Sequence, residues 1–215
     1  MTNWLVRLLP MDELIATVRR FPLSVVCATI LFIIAFAENH KLIDFDDNDI
    51  SRVIAILGCL YFWFGISKLI GESQKLVFFK VLLLNLVGGG AIAALILLSN
   101  LWGLHLLFLM PALLLGIMFA PFLTSGNDIS VWFFNRMMWF GVIVSYAALI
   151  LFAGGVMVAL GAIQALFDVN ISGKLYMDVW LFASLILGPV YALSWVPRRF
   201  EFLSLIHISE PTRPY

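Results

Sequence analysis

The chain has 215 residues, 63% apolar and only 12% charged, with 13 acidic and 13 basic side chains. Soluble domains carry roughly a quarter charged residues, so this composition cannot coat a water-facing exterior and excludes an ordinary soluble globular protein. Net charge is zero and the cations fall singly or in pairs, which leaves no basic stripe for nucleic acid.

Residues 1–21 come before any long apolar run. Pro10 breaks the chain, Asp12 and Glu13 open a short helix, and Met11, Leu14, Ile15 and Val18 recur at helical spacing. The pattern predicts an amphipathic segment lying on the cytoplasmic leaflet, with Arg19 and Arg20 facing phosphate headgroups. A frayed cytoplasmic tail is the plainer alternative.

Six apolar runs follow, at about 22–37, 53–70, 81–98, 101–120, 137–163 and 179–196. Most have the 18 or so residues that a bilayer requires, and the first reaches that length with its flanks. Backbone hydrogen bonds must be satisfied within hydrocarbon, so runs of this length mean helices. The predicted fold is all-α: a polytopic membrane bundle of six transmembrane helices over residues 22–202. None of the runs contains a carboxylate, and their one cation, Lys68, sits near enough to an end to snorkel. Cys27 and Cys59 lie in different runs at depths about 13 Å apart, by the helical rise of about 1.5 Å per residue. A disulfide needs Cα atoms within about 7 Å, so both read as small packing residues.

Counting cations in alternate connections gives an orientation. One face collects Arg7, Arg19, Arg20, Lys68, Lys75, Lys80, Arg136, Arg198 and Arg199; the other has Lys41, Arg52 and Lys174. The richer face is predicted to be cytoplasmic, which puts the N-terminus inside. In a competing reading the first run is a cleaved signal peptide ending at Ala35-Phe36-Ala37. A leader of twenty residues ahead of that run argues against it.

Ser99 and Asn100 are the only interruption between the third and fourth runs, which predicts a tight antiparallel hairpin with Asn100 as the N-cap of the fourth helix. Between the fourth and fifth runs, residues 124–128 carry a loop signal with Asp128 as a helix cap. Trp132, Phe133, Phe134 and Trp139 then read as an interfacial aromatic belt. Residues 168–174 make a short polar loop. Pro111 and Pro189 each delete a backbone hydrogen bond and predict bends in the fourth and sixth helices.

Association of helices already in lipid depends on close packing of small residues. Gly141, Ser145, Ala148, Gly155 and Ala159, with Phe152, are predicted to form one packing face of the fifth helix. Gly88-Gly89-Gly90 with Ala93 and Ala94 offers two small-residue pairs in the third, and Gly58 and Gly65 mark the second. No Gly-Lys-Ser/Thr follows the glycine triplet, so it is no phosphate loop.

Candidate chemistry is sparse. Asp44, Asp46 and Asn48 fit the first three positions of a calcium loop, but Asp49 replaces the turn glycine and Ala55 the bidentate glutamate. A helix-capping role for Asn48 or Asp49 accounts for part of that cluster. His40 and His105 fall on the outer face without metal-ligand spacing, which predicts a solvated His40 and an interfacial His105. Asn85, the most polar residue inside a run, is expected to hydrogen-bond across a helix contact. No set of serine, cysteine, histidine and carboxylate suggests catalysis. No catalytic, cofactor-binding or metal residue is therefore assigned, and no cofactor is implied.

Several short segments carry a resemblance: Arg19-Arg20-Phe21-Pro22-Leu23, then Asn127-Asp128 with Trp132 and Asn135-Arg136, then Ala165-Leu166-Phe167 and Trp195-Val196-Pro197. With them the chain resembles the bacterial membrane family catalogued as domain of unknown function 4153, across most of residues 12–200. The resemblance implies a longer multi-spanning protein of the bacterial inner membrane and transfers no functional residue. The last stretch, 203–215, including His207, looks instead like a translation of the transposase adapter used in sequencing libraries. It is read as an artefact tail, with the natural chain interrupted near Phe202.

The favoured function is a non-enzymatic membrane domain that anchors, assembles or senses. Its partners would be the lipid bilayer and helix-packing partners or further copies of the chain. The alternative is half of a solute transporter, suggested by the two prolines and the glycine triplet. A membrane enzyme whose catalytic part lies beyond residue 202 comes third.

Overall fold

The structure is a computed structural model that describes residues 11–43, 46–123 and 128–197. The described residues are mostly helical, with no strand among them. A short α1 (Met11–Arg20) leads into α2 (Pro22–Asn39), α3 (Asp47–Ser73), α4 (Phe78–Leu98) and α5 (Trp102–Phe119), the last extended by a 3-10 turn at Ala120–Phe122. Then come α6 (Asp128–Phe167), α7 (Gly173–Phe182), a π-helical turn at Ala183–Leu187, and α8 (Gly188–Ser194). The α7–α8 stretch forms one apolar rod, giving six helices long and apolar enough to cross a membrane. The adapter-like tail at 203–215 and Asp44 of the acidic loop lie outside the described residues.

Helix α3 is the hub, flanked by α2, α4 and α5; the α7–α8 rod packs on α2, and α6 packs on α8. The core runs along α3 through Ala55, Cys59, Ile66 and Leu69, joined by Ile92 and Ile96 of α4 and by Leu113 and Ile117 of α5. Cys27 and Cys59 are both buried and unbridged. The outside is apolar as well: Leu98, Phe78, Leu166 and Leu151 are each at least 77% exposed. Only 17% of the apolar window in α4, and 33% in α3, is buried within the molecule. Such a surface is unstable in water and ordinary in hydrocarbon. The chain is therefore a multi-pass membrane protein. Forty residues of α6 span about 60 Å at the helical rise, twice the hydrocarbon thickness of about 30 Å. The helix is therefore longer than one crossing needs, and near its start Phe134 packs edge-on against Phe122.

Glycines on the predicted packing faces let tryptophans in. A Cβ on Gly88 would lie 1.9 Å from the Trp63 ring of α3, and one on Gly141 would lie 2.4 Å from Trp195. Each indole rests on bare backbone. The face predicted for the fifth helix holds only in its first half. Gly141, Ser145, Leu149 and Ala153 are buried, but Gly155 and Ala159 are exposed, and nothing lies within 4 Å of a Cβ on Gly155. The buried positions recur every four residues, so the alternating spacing drifted off the contact. In α4, Gly89 is buried against Leu60 while Gly90 faces open space, so one of the two predicted small-residue faces is used.

Two local expectations need correction. Leu101, rather than Asn100, occupies the N-cap position of α5, and the Ser99 hydroxyl accepts from the Leu101 amide at 3.0 Å. Of the two prolines, Pro111 lies inside the continuous α5, and Pro189 lies two residues beyond the end of the π-turn, where the Gly188 amide reaches back to the Ala183 carbonyl. The wider turn takes up the backbone disruption that proline brings. In the aromatic stretch, Trp132 and Trp139 are exposed as a belt requires, but Phe134, 4% exposed, is core.

Candidate functional site

Polar side chains gather at the two ends of the bundle and at a few bonds between helices. At one end, Arg20, the last residue of α1, forks onto Glu72 of α3. Its Nε lies 3.1 Å from Oε1, and its Nη2 lies 2.6 Å from Oε2. The remaining guanidinium hydrogens reach the Val196 and Pro197 carbonyls at 2.7 and 2.9 Å. A planar fork matches a carboxylate in this way, and a cation at the exposed carbonyls beyond α8 is favoured by the helix dipole. Both partners are largely shielded, with side chains 14% and 25% exposed. Lys68 joins at 3.4 Å from Glu72, one turn away on α3, so it is paired rather than simply snorkelling. One arginine thus ties three elements distant in sequence, and the Ser73 hydroxyl adds a bond to the Pro121 carbonyl nearby.

At the opposite end, Asp178 of α7 receives two residues from the end of α2. Asn39 Nδ2 donates to Oδ1 at 2.8 Å, and His40 Nε2 lies 2.9 Å from Oδ2. The His40 ring also stacks on Phe36, with centroids 4.4 Å apart. His40 is therefore a bridging group between the first and sixth spans, where a solvated side chain was expected. Trp102 Nε1 donates to Asn48 Oδ1 at 3.3 Å and Arg52 reaches the Leu97 carbonyl at 3.0 Å, so α3, α4 and α5 meet at this end.

Between the ends, hydroxyls cross from helix to helix. Ser24 of α2 donates to the Tyr61 carbonyl of α3 at 3.0 Å, and the Tyr61 hydroxyl donates to the Pro189 carbonyl at 3.0 Å. Ser67 of α3 bonds Asn85 of α4, which is the cross-helix contact the polar residue in that run predicted. Each such bond contributes about 0.6 kcal/mol on average in a membrane. Their main effect is to set register and rotation.

The remaining sequence candidates do not converge. Asp46 occupies the N-cap position of α3 without a side-chain cap bond, so neither Asn48 nor Asp49 is that cap. Ala55 is core, and His105 holds a buried Nδ1 without a partner among the described residues. Among those residues, no three His, Cys, Asp or Glu side chains lie close enough to hold a metal ion. Glu72 and Asp178 were missed because each falls one or two residues outside an apolar run. The four-residue spacing of Lys68 and Glu72 was the available signal for one of them. No family model, curated protein or solved structure matches the chain.

Proposed function

We propose that this domain is a non-enzymatic anchoring, assembly or sensing unit of a bacterial inner membrane, with its N-terminus in the cytoplasm. The observation that carries this reading is how the polar groups are engaged. Arg20, Glu72, Asn39, His40, Asp178, Ser24, Tyr61, Ser67 and Asn85 all bond from one helix or helix end to another. Polar groups deployed in this way build a rigid frame. Membership of the family that the chain resembles is part of the proposal and rests on residues 19–23, 127–136, 165–167 and 195–197; an alignment of full-length homologues tests it.

Uptake measurements on vesicles containing the full-length protein test the function: the proposal expects no solute to be accumulated above protein-free vesicles. Transport is the second reading, favoured by the π-turn at Ala183–Leu187 next to Pro189, since broken helices recur in transporters. Specific uptake would establish it and overturn the first.

The proposed orientation rests on the cations. Lys75 and Lys80 belong to the end that holds Arg20 and Glu72, and Lys41 and Lys174 to the end that holds His40. Cells carrying Lys41→Cys or Lys174→Cys should react with a membrane-impermeant thiol reagent without permeabilisation, and Lys75→Cys only after it. The buried Cys27 and Cys59 keep the background low.

A further inference from the structure

At the Arg20–Glu72 end, a cleft of about 370 Å³ opens between the first turn of α2, the last turns of α3 and the first turns of α4. Three cations, Arg19, Arg20 and Lys68, and one carboxylate, Glu72, line it. Arg20 is committed to Glu72 and two carbonyls, and Glu72 also takes Lys68. The local balance is therefore positive. Arg19 is exposed and forms no ion pair or hydrogen bond among the described residues, and the Lys68 side chain is 41% exposed. The first turns of α2 and α4 border the same space; neither contains an acidic residue or receives a side-chain cap. The C-terminal ends of α1 and α3 reach the same space with the opposite dipole, so the positive balance rests on the side chains.

Below the cations the walls turn apolar, with Leu23, Phe64, Phe78 and Val81. Phe78 is 80% exposed at the mouth. Asn85 stands among these walls. Its amide bonds the Ser67 hydroxyl, which itself reaches the Phe64 carbonyl, and in either amide orientation at least one Nδ2 hydrogen is left without a protein partner among the described residues. A cleft with cations at the rim, an amide donor about two turns into α4 and hydrocarbon walls matches one kind of molecule.

We propose that this cleft binds an anionic phospholipid. Its phosphate sits between Arg19 and Lys68, an ester oxygen accepts from Asn85 Nδ2, and an acyl chain runs along Phe64 and Val81. Basic pockets between membrane helices hold anionic headgroups in this manner. The inference needs the cleft to lie at a membrane interface, and it stands whichever function the whole protein serves.

Native mass spectrometry and thermal melts of the full chain in a neutral detergent test it. Phosphatidylglycerol, phosphatidylcholine and inorganic phosphate are titrated separately. Retention of phosphatidylglycerol with a raised melting midpoint, and neither effect from phosphatidylcholine, is expected. Arg19→Gln and Lys68→Gln should each weaken phosphatidylglycerol binding about fivefold, and Lys75→Gln, outside the cleft lining, should leave it unchanged. Arg19 supports nothing else in the fold, so its variant separates loss of binding from loss of structure. Unchanged affinity in the Arg19 and Lys68 variants overturns the proposal. An equal effect from inorganic phosphate also overturns it and points to a free-anion site; equal retention of phosphatidylcholine reduces the cleft to an unselective lipid contact.

Discussion

The edge of the Trp63 indole occupies the space that a side chain on Gly88 would need: a Cβ there would sit 1.9 Å from Cζ2. Helix α4 can approach α3 at this depth because residue 88 has no side chain. Gly88→Ala should therefore push the ring or the helix away and cost about 1–3 kcal/mol, the range for overpacked cores. For a chain of this size, each kcal/mol lowers the melting midpoint by about 2–4 °C, measurable by thermal denaturation in detergent. Gly90→Ala, two residues on and facing open space, should instead stabilise the helix by up to about 1 kcal/mol. Equal effects at the two positions would show that the indole does not set the α3–α4 distance.

Arg20 and Glu72 should behave as a coupled pair. Glu72→Gln leaves a guanidinium facing only carbonyls, and Arg20→Met leaves a shielded carboxylate with Lys68 alone. Removing one member of a buried pair costs about 3–5 kcal/mol; the partial exposure here, 14% and 25%, places the expected loss at the low end. The double variant should be less destabilised than the sum of the singles, with a coupling of about 0.5–3 kcal/mol. Strict additivity in a double-mutant cycle would mean that the contact makes no net contribution.

Asp178 offers a graded test at the other end. Asp178→Ala removes the shared acceptor of Asn39 and His40 and should cost about 1.5–3 kcal/mol, the range for hydrogen bonds to a charged group. Asp178→Asn keeps an oxygen for Asn39 and should cost less. Melting midpoints that rank alanine below asparagine below wild type are expected; no difference among the three would mean that the α2–α7 connection is loose in the bilayer.

Span number and helical character were legible because a bilayer imposes both on any long apolar run. Pairing between helices was legible only where geometry forced it, as in the α4–α5 hairpin at Ser99, or where a lone polar residue demanded a partner, as at Asn85. The Arg20–Glu72 clasp joins residues 52 apart, and no local pattern in the chain records such a distance. Asp178 was hidden for a related reason. Apolar runs are bounded by their charged residues, so the charges that fasten helix ends fall just outside the segments that hydropathy selects. The rotation of α6 was misjudged because small residues promote packing wherever a partner happens to be, and Gly155 has none within 4 Å.

That rotation can be decided experimentally. Ala153 is fully buried, with Leu149 and Ala183 around it, while Gly155 is exposed only two residues away. Ala153→Leu should drive a side chain into the π-turn of the sixth span and cost about 1–3 kcal/mol. Gly155→Leu should meet lipid alone, and replacing a helical glycine with a strong helix former should contribute up to about 0.8 kcal/mol of stability. Thermal melts of the two variants side by side should therefore move in opposite directions. If Gly155→Leu is the damaging change and Ala153→Leu the tolerated one, α6 is turned so that the face predicted from Gly141, Ser145, Ala148, Gly155 and Ala159 meets its neighbours. In that case the contact between α6 and the sixth span would have to be redrawn.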